Sequence, residues 1–413
     1  MRFPEFEGEW VNKKLGQIYK FKITNSLSRA DLNYENGSVK NIHYGDIHTQ
    51  YATLFDITKE SVPYINHELN ITKYSDENYC QEGDLIFADA SEDYNDIGKC
   101  IEIVNLNNEK VQSGLHTLLA RPEKSIMAIG FAGYLMKSGN VKLQIQREAQ
   151  GTKVLSITSG RLSKIELIFP ALPEQQKIAS FFTAIDQKIS QLKRKKTLLE
   201  QYKKGVIQKI FSQEIRFRGD NGQEFPRWEK KLLRKIAKIY DGTHQTPNYV
   251  ITGIPFYSVE QVTANDFQNT KYISEDVFKK ENQRVKLGKG DILMTRIGDI
   301  GTAKYIDWDV NASFYVSLAL IKHSDLFNSN YLSHYISTQN FQKELWKRTI
   351  HVAFPKKINL GEIGECEVEL PPLPEQTKIA NFLSVIDDKI NHTQTQIEKA
   401  EVWKKGLMQR MFV

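Results

Sequence analysis

The stretch Phe169-Pro-Ala-Leu-Pro-Glu-Gln-Gln-Lys-Ile-Ala-Ser-Phe-Phe182 returns, without a gap, as Leu370-Pro-Pro-Leu-Pro-Glu-Gln-Thr-Lys-Ile-Ala-Asn-Phe-Leu383. The match continues through Ile185-Asp186 and Ile386-Asp387, Lys188-Ile189 and Lys389-Ile390, and Lys203-Lys204-Gly205 and Lys404-Lys405-Gly406, ending at Phe211 and Phe412. A repeat this long decides the architecture, because each copy must be one structural unit. A weaker echo sets Phe3-Pro4, Trp10, Lys13, Leu15 and Ile18 beside Phe225-Pro226, Trp228, Lys231, Leu233 and Ile236. Each copy therefore starts alike and finishes alike. The long middles have diverged and keep only a faint frame, Gly83-Asp-Leu-Ile-Phe87 against Gly290-Asp-Ile-Leu-Met294 and Ile97-Gly98 against Ile300-Gly301. Constant ends around unlike interiors suggest exchangeable recognition surfaces on a rigid scaffold. Simple duplication and drift is the alternative, but it does not by itself explain why the ends stayed alike.

The repeated ends read as helices. Pro173 and Pro374 suit a first helical turn, where a missing N–H costs nothing, and Glu174 and Glu375 favour its positive end. Ile178, Phe182, Ile185, Ile189, Leu192, Leu199, Val206 and Ile210 recur at steps of four and three, with occasional sevens. Ile379, Leu383, Ile386, Ile390, Ile397, Ala400, Leu407 and Met411 do the same, which makes an a/d seam in each copy. Each helix spans about 38 residues, roughly 57 Å. A seam of that length needs a partner, and the other copy supplies it as an antiparallel coiled coil with internal pseudo-two-fold symmetry. Lys196, Lys203, Thr393 and Lys404 depart from the seam, either to fix register or as snorkelling side chains. DNA advances roughly 34 Å per turn, so a separator this long matches one to two turns and suits a ruler.

The 413 residues exceed one ordinary core and imply at least two domains. A hydrophobic share of 40% and a charged share of 26% are those of a soluble globular protein. No apolar run reaches the roughly 18 residues of a membrane span, and Met1 to Trp10, with three glutamates, lacks the order of a signal peptide, so the expected location is cytoplasmic. Cys80, Cys100 and Cys366 form neither a disulfide framework nor a zinc motif. Of the net charge of +6, most sits on residues 174–218, where 11 Lys and Arg face 4 Asp and Glu. Its run Lys193-Arg-Lys-Lys196 either meets phosphate or forms a solvated helix face.

Short β-rich stretches such as Leu85–Phe87, Ile101–Val104, Ile292–Thr295 and Val316–Ile321 are broken by Gly, Asn and Asp, with helical stretches such as Asn330 to Lys347 between them. The middles are therefore expected to be mixed α/β (α+β) domains, in two copies. In the second, Asp241-Gly-Thr-His-Gln-Thr-Pro247 reads as an exposed turn carrying Thr243, His244, Gln245 and Thr246, donors and acceptors suited to base edges or phosphates. Arg296 has the fork geometry for guanine, and Lys304 and His351 are further donors. In the first, His43, Tyr44, His48, Thr49 and Gln50 form a similar polar and aromatic run, and Lys153 lies in a Gly151-Thr-Lys-Val154 stretch. For any one of these an ordinary surface or turn role is the simpler account; the set argues together. His43 and His48 with Asp46 between them have no second cluster to complete a metal site.

The motifs of chemistry are absent: no phosphate loop, no Gly-x-Gly-x-x-Gly, no Gly-x-Ser-x-Gly, no His-Glu-x-x-His. Nor is there the Asp/Asn-Pro-Pro-aromatic tetrapeptide of adenine methyltransferases. Two copies of Leu-Pro-Glu-Gln-x-x-Lys-Ile-Ala, each opening a long helix that ends near Lys-Lys-Gly and each preceded by a variable domain, resemble the specificity subunit of Type I restriction-modification systems. Asp241-Gly-Thr-His-x-Thr-Pro247 with Gly253-Ile-Pro-Phe256, and Gly290-Asp-Ile-Leu293, resemble features of that family's recognition domains.

The resemblance implies target recognition domains at 1–168 and 215–369 and conserved helices at 169–214 and 370–413. It implies a non-catalytic chain whose two domains each read, through the major groove, half of a bipartite, asymmetric double-stranded DNA target. Two modification (methyltransferase) subunits then dock and methylate adenine with S-adenosylmethionine, and restriction subunits with ATP and Mg complete the nuclease, so those cofactors are expected on partners and none on this chain. Two other classes stay open on the residues alone. One is a scaffold that pairs two protein-binding domains through the coiled coil; the other is an enzyme with a site assembled from scattered residues.

Overall fold

A computed structural model describes residues 1–69, 75–123 and 125–412. The chain forms two compact units, Met1–Lys193 with Gln394–Val413, and Arg194–Thr393. Both boundaries fall inside the long helices Leu172–Phe211 and Leu373–Met411, so each unit takes the start of one helix and the end of the other.

The alike ends of each copy are neighbours in space. Strand Val11–Lys14 pairs antiparallel with Glu166–Phe169, Val11 opposite Phe169. Strand Glu229–Leu232 pairs in the same way with Glu367–Leu370. The one-turn helices that follow, Leu15–Ile18 and Leu233–Ile236, open with N–H donors to Ile165 O at 2.8 Å and Cys366 O at 2.9 Å. One part of the weak echo is corrected. The counterpart of Phe3 is Phe217 rather than Phe225: Arg2-Phe3 and Arg216-Phe217 occupy matching places, with Phe3 edge-on to Phe181 and Phe217 edge-on to Phe382. The second copy has ten residues between Phe217 and Trp228 where the first has six between Phe3 and Trp10.

The Leu-Pro-Glu-Gln motif fastens helix to domain. Glu174, Gln175, Glu375 and Gln376 are all buried. Glu174 receives a forked pair of bonds from Arg2 (2.8 and 2.6 Å), and Glu375 receives one from Arg216 (3.1 and 2.7 Å). Gln175 accepts from Ala128 N and donates to Ile126 O and Pro170 O; Gln376 accepts from Asn328 N and donates to Pro371 O.

In the first unit Ile178, Phe182, Ile185 and Ile189 share a core with Leu407, Met411 and Phe412, and the Phe182 and Phe412 rings stack at 6.0 Å. In the second, Ile379, Leu383 and Ile386 share a core with Ile210 and Phe211. The start of one helix thus packs on the end of the other in both units, the antiparallel arrangement expected from the seam. Each fully buried Ile, Leu or Phe contributes about 1.5–3 kcal/mol of hydrophobic stabilisation. Of the polar departures, Lys404 pairs with Asp186 and Lys203 with Asp387, across the helices, so these two fix register. Lys196 pairs with Glu200 of its own helix at 3.6 Å, and the buried Thr393 hydroxyl donates to Lys389 O. In the basic run Lys193 meets Glu401 at 2.7 Å and Arg194 and Lys195 are exposed, as both a phosphate contact and a solvated helix face require.

The variable middle of each copy is mixed α/β. The first unit holds a five-stranded sheet in the order 19–22, 117–122, 85–88, 100–105, 54–56 and a four-stranded one in the order 111–113, 40–42, 64–65, 32–33. The second holds two four-stranded sheets, ordered 239–241, 318–321, 292–297, 299–305 and 249–250, 271–273, 254–257, 313–314. The faint frame of the middles has a packing reason. Gly98 (φ +66°) and Gly301 (φ +94°) sit where a Cβ would fall 2.5 Å from Ile145 and 2.7 Å from Leu345 respectively, at matching places on the helices Gly139–Glu148 and Gln339–Arg348. The stretch read as helical from Asn330 to Lys347 is two helices, Ser329–Ile336 and Gln339–Arg348. Thr338 divides them, its hydroxyl accepting from Phe341 N as the N-cap of the second.

Candidate nucleic-acid interface

In the second unit the turn that opens at Asp241 is held by the sheet behind it. Thr243 N donates to Phe314 O at 2.9 Å and Val316 N to Thr243 O at 3.0 Å, so Thr243 is buried while His244, Gln245 and Thr246 face outward. Asp241 is nearly buried and organises the cationic groups around it. Its carboxylate accepts from Arg284 and, at 2.8 Å, from His244 Nε2. Burial works against its charge, but the bonds from Arg284 and His244 outweigh it and hold the pKa below the ordinary value. The side chain of Arg284 is 55% exposed, so its fork is aimed by Asp241 and still open to a ligand. Thr246 Oγ1 lies 3.2 Å from the Tyr315 hydroxyl. An open cleft of about 490 Å³ runs beside Asp241, His244, Gln245 and Arg284.

Arg296 stands inside strand Ile292–Ile297 rather than after it, and it is buried. Its Nη1 donates to Ile358 O at 3.2 Å, its Nη2 lies 3.9 Å from Asp241, and its Nε has no hydrogen-bond partner among the described residues. Burial lowers its pKa against the pull of Asp241. The guanidinium therefore braces the turn at Asp241 against the chain at Ile358 and does not present an open fork. Lys304 pairs across the sheet with Leu293, three residues from Arg296, and its Nζ lies over the Trp308 ring at 5.8 Å. His351 is exposed, its ring lies tilted against Trp346 at 4.7 Å, and it bonds Trp346 O through Nε2.

The first unit builds a different cluster on the same plan. Residues 44–49 form a short helix, with His43 Nδ1 accepting from Gly45 N as its N-cap. Burial, then Arg29, lowers the His43 pKa and keeps the ring neutral. Asp46 is fully buried and takes both arms of Arg29, at 2.9 and 2.8 Å, with the Arg29 side chain 47% exposed. Gln50 also donates to Asp46, and Thr49 bonds back to Gly45 O. The Tyr44 ring contacts His43, His48 and His116, and His116 meets Asp89 at 3.1 Å. His48 Nε2 bonds Ala90 O at 2.9 Å, and strand Ala90–Ser91 pairs with Leu155–Ser156 at the foot of the loop that carries the exposed Lys153. The structure thus gathers His43, Tyr44, His48, Thr49, Gln50 and Lys153 at one edge.

Arg29, His116 and Arg284 join these clusters without a local sequence signal: Arg29 precedes Asp46 by 17 residues, and Arg284 follows Asp241 by 43. In both units a buried aspartate holds a half-exposed arginine, built from unrelated sequences. Among the described residues no group of three His, Cys, Asp or Glu is placed to hold a metal ion, and no helix is long and apolar enough to cross a membrane.

The family model described as the Type I restriction modification DNA specificity domain matches residues 7–201 and again 227–402. The chain is 25% identical over 279 residues to the Type I restriction enzyme MjaVIII specificity subunit of Methanocaldococcus jannaschii, covering 64% of this chain and 65% of that one, just under two thirds. It is 26% identical over 346 residues to the putative MjaX specificity subunit of the same organism, covering 79% and 76%. Its fold is similar to that of the crystallised S subunit of a Type I restriction-modification system from M. genitalium, with a TM-score of 0.62 at 14% identity over 100% of this chain and 99% of that one.

Proposed function

Because the chain belongs to the Type I restriction modification DNA specificity family, we propose that it is the non-catalytic reader of a bipartite, asymmetric double-stranded DNA target, one half per recognition domain. The observation that carries this reading is the pairing of a common frame with unlike polar clusters. Arg29 on Asp46 and Arg284 on Asp241 are each pre-aimed by a buried carboxylate, and they stand among different neighbours. Two readers on one scaffold suit two different half-sites. Arginine is the side chain whose planar fork matches guanine or phosphate.

In this reading the two long helices set the non-specific spacer. Two methyltransferase subunits dock on the frame and methylate adenine with S-adenosylmethionine, and restriction subunits with ATP and Mg complete the complex in the cytoplasm. This chain itself binds no cofactor. Its recognition domains lack a large positive excess, so phosphate contact is shared with the methyltransferase subunits that close around the duplex.

The test is to sequence methylated DNA from cells carrying a methyltransferase partner with and without this chain. A two-part methyl-adenine motif that depends on the chain is expected. Its absence with a competent partner overturns the proposal and favours a protein scaffold.

A further inference from the structure

Helix Gln339–Arg348 is followed by a loop whose tip is apolar and fully in water: Val352 is 96% exposed and Phe354 is 104% exposed. Leaving a phenyl ring uncovered forfeits the burial energy that drives folding, so an exposed apolar tip points to a partner. The loop is nevertheless tied down at its feet. Ile350 N donates to Lys357 O at 2.8 Å, Gly298 N to Lys356 O at 2.8 Å and Ile358 N to Arg296 O at 3.0 Å. Lys357 forms antiparallel bridges with both Ile350 and Ile297. The same Arg296 whose side chain reaches toward Asp241 thus anchors the loop, which stands beside the recognition turn.

Charge selects the partner. Residues 343–357 contain Lys343, Lys347, Arg348, Lys356 and Lys357 against a single acid, Glu344, and that acid is paired with Lys347 at 3.0 Å and Arg348 at 3.5 Å. Nearby Asp299 is bonded by the Thr295 hydroxyl, and Glu362 by Arg348. Lys356 and Lys357 remain exposed immediately beyond the tip. An apolar tip between cations fits a polyanion that also offers apolar surface, which is what a DNA groove presents.

The first unit has the same device with a different tip. Helix Gly139–Glu148 leads into a loop closed by a Gln150–Ser156 bridge, and its exposed residues include Lys153 and Val154. Gly151-Thr-Lys-Val-Leu155 and His351-Val-Ala-Phe-Pro355 share no residue at corresponding positions, although the helix before and the short helix and strand after are the same in both copies.

We propose that the loop between Ile350 and Lys357 is a base-contacting element of the second recognition domain, in which Phe354 lies against a base pair of that domain's half-site and Lys356 and Lys357 hold the flanking phosphates. This rests on the reading of the chain as a DNA specificity subunit and names the element that reads. Phe354 brings no hydrogen-bond donor, so it discriminates by apolar contact, for which the thymine methyl group in the major groove is the matching feature.

The experiment uses the full chain assembled with its methyltransferase partners and compares wild type, Phe354→Ala, Phe354→Leu and Lys356→Ala/Lys357→Ala. Methylated motifs are sequenced, and binding to target, single-base variants and non-target DNA is measured against salt. Phe354→Ala is expected to lose roughly tenfold in discrimination at one base pair of one half-site, with the other half and the salt slope unchanged and Phe354→Leu in between. The double lysine variant is expected to weaken target and non-target DNA alike and to flatten the slope of log K against log salt by roughly two. Partner binding and thermal unfolding of each variant separate these effects from misfolding. Unaltered motif and discrimination in Phe354→Ala, with a wild-type motif present, overturns this proposal alone. No motif with the wild type overturns the functional reading and this element with it. Loss of binding to anionic vesicles in Phe354→Ala, with the motif intact, gives the loop to a membrane surface instead and also overturns it.

Discussion

Lys203 Nζ lies 2.5 Å from Asp387 Oδ1 in the second unit, and the same two positions of the repeat, with copies exchanged, meet in the first as Lys404 and Asp186, also at 2.5 Å. These are the lysines that break the apolar seam, and their partners come from the other helix. A one-turn slip of either helix would leave an ammonium facing apolar side chains. The pairs are partly exposed, so their worth is limited by solvent to about 1 kcal/mol each. A double-mutant cycle with Lys203→Met and Asp387→Asn, read by thermal unfolding of the full chain, should return a coupling of that size. Strict additivity of the single variants would show that the lysines do not set register.

Asp387 also faces His334, whose Nε2 stands 3.8 Å away with no hydrogen-bond partner among the described residues. Burial, helped by Lys203, pushes the His334 pKa down to about 4 against the pull of Asp387. The fold therefore holds a neutral ring while the unfolded chain takes up a proton near pH 6.5. The stabilisation is complete above pH 6.5 and is lost as pH falls toward 4, by up to about 3 kcal/mol. In the first unit the matching place is Tyr134, which donates to Asp186 at 2.9 Å and has no such titration. His334→Tyr should therefore flatten the acid side of the stability profile between pH 6.5 and 4.5. An unchanged slope in that variant would mean that other groups carry the acid loss.

The long helices, the seam and the Leu-Pro-Glu-Gln starts were legible because they repeat and because helical periodicity is local. Sheet order was not legible: strands Val11–Lys14 and Glu166–Phe169 pair across the whole first domain, and nothing local in either announces the other. The polar clusters were half legible. The polar turns at His43–Gln50 and Asp241–Pro247 stand out, but Arg29 and Arg284 reach them only through the fold. Arg296 misled for the same reason, since its chemistry suits guanine and only the sheet shows that its guanidinium is spent on Ile358 O.

Arg29→Lys and Arg284→Lys keep the charge and remove the fork that Asp46 and Asp241 aim. Each should weaken binding of the assembled complex to its target roughly tenfold while relaxing only one half of the methylated motif. The halves should differ between the two variants. Sequencing of methylated DNA decides it: a change in both halves from either variant would contradict one reader per domain.

Gln376 gives the sharpest test of how the motif holds helix to domain. It is buried, its Nε2 donates to Pro371 O at 2.7 Å and its Oε1 accepts from Asn328 N at 2.8 Å, so each end of the amide has one permissible partner. Gln376→Glu keeps the shape but sets a carboxylate oxygen against a carbonyl in a buried site. At neutral pH the cost is a buried, repelled charge, about 2 kcal/mol or more. A protonated carboxyl can donate to Pro371 O as the amide does, so burial raises the pKa of the new acid and the loss shrinks as pH falls. The variant should therefore unfold at a clearly lower temperature than wild type at pH 7.5 and at a closer one at pH 5. Gln175→Glu, which faces Ala128 N, Ile126 O and Pro170 O, should behave in the same way in the first unit. Glu375→Gln, by contrast, keeps one acceptor oxygen for Arg216 Nη2 and Trp228 Nε1 and loses the bond from Arg216 Nε, on a side chain 27% exposed; it should cost less, with no recovery in acid. Wild-type stability of Gln376→Glu at pH 7.5 would show that the amide does not fasten the helix, and the doubled motif would then need another explanation.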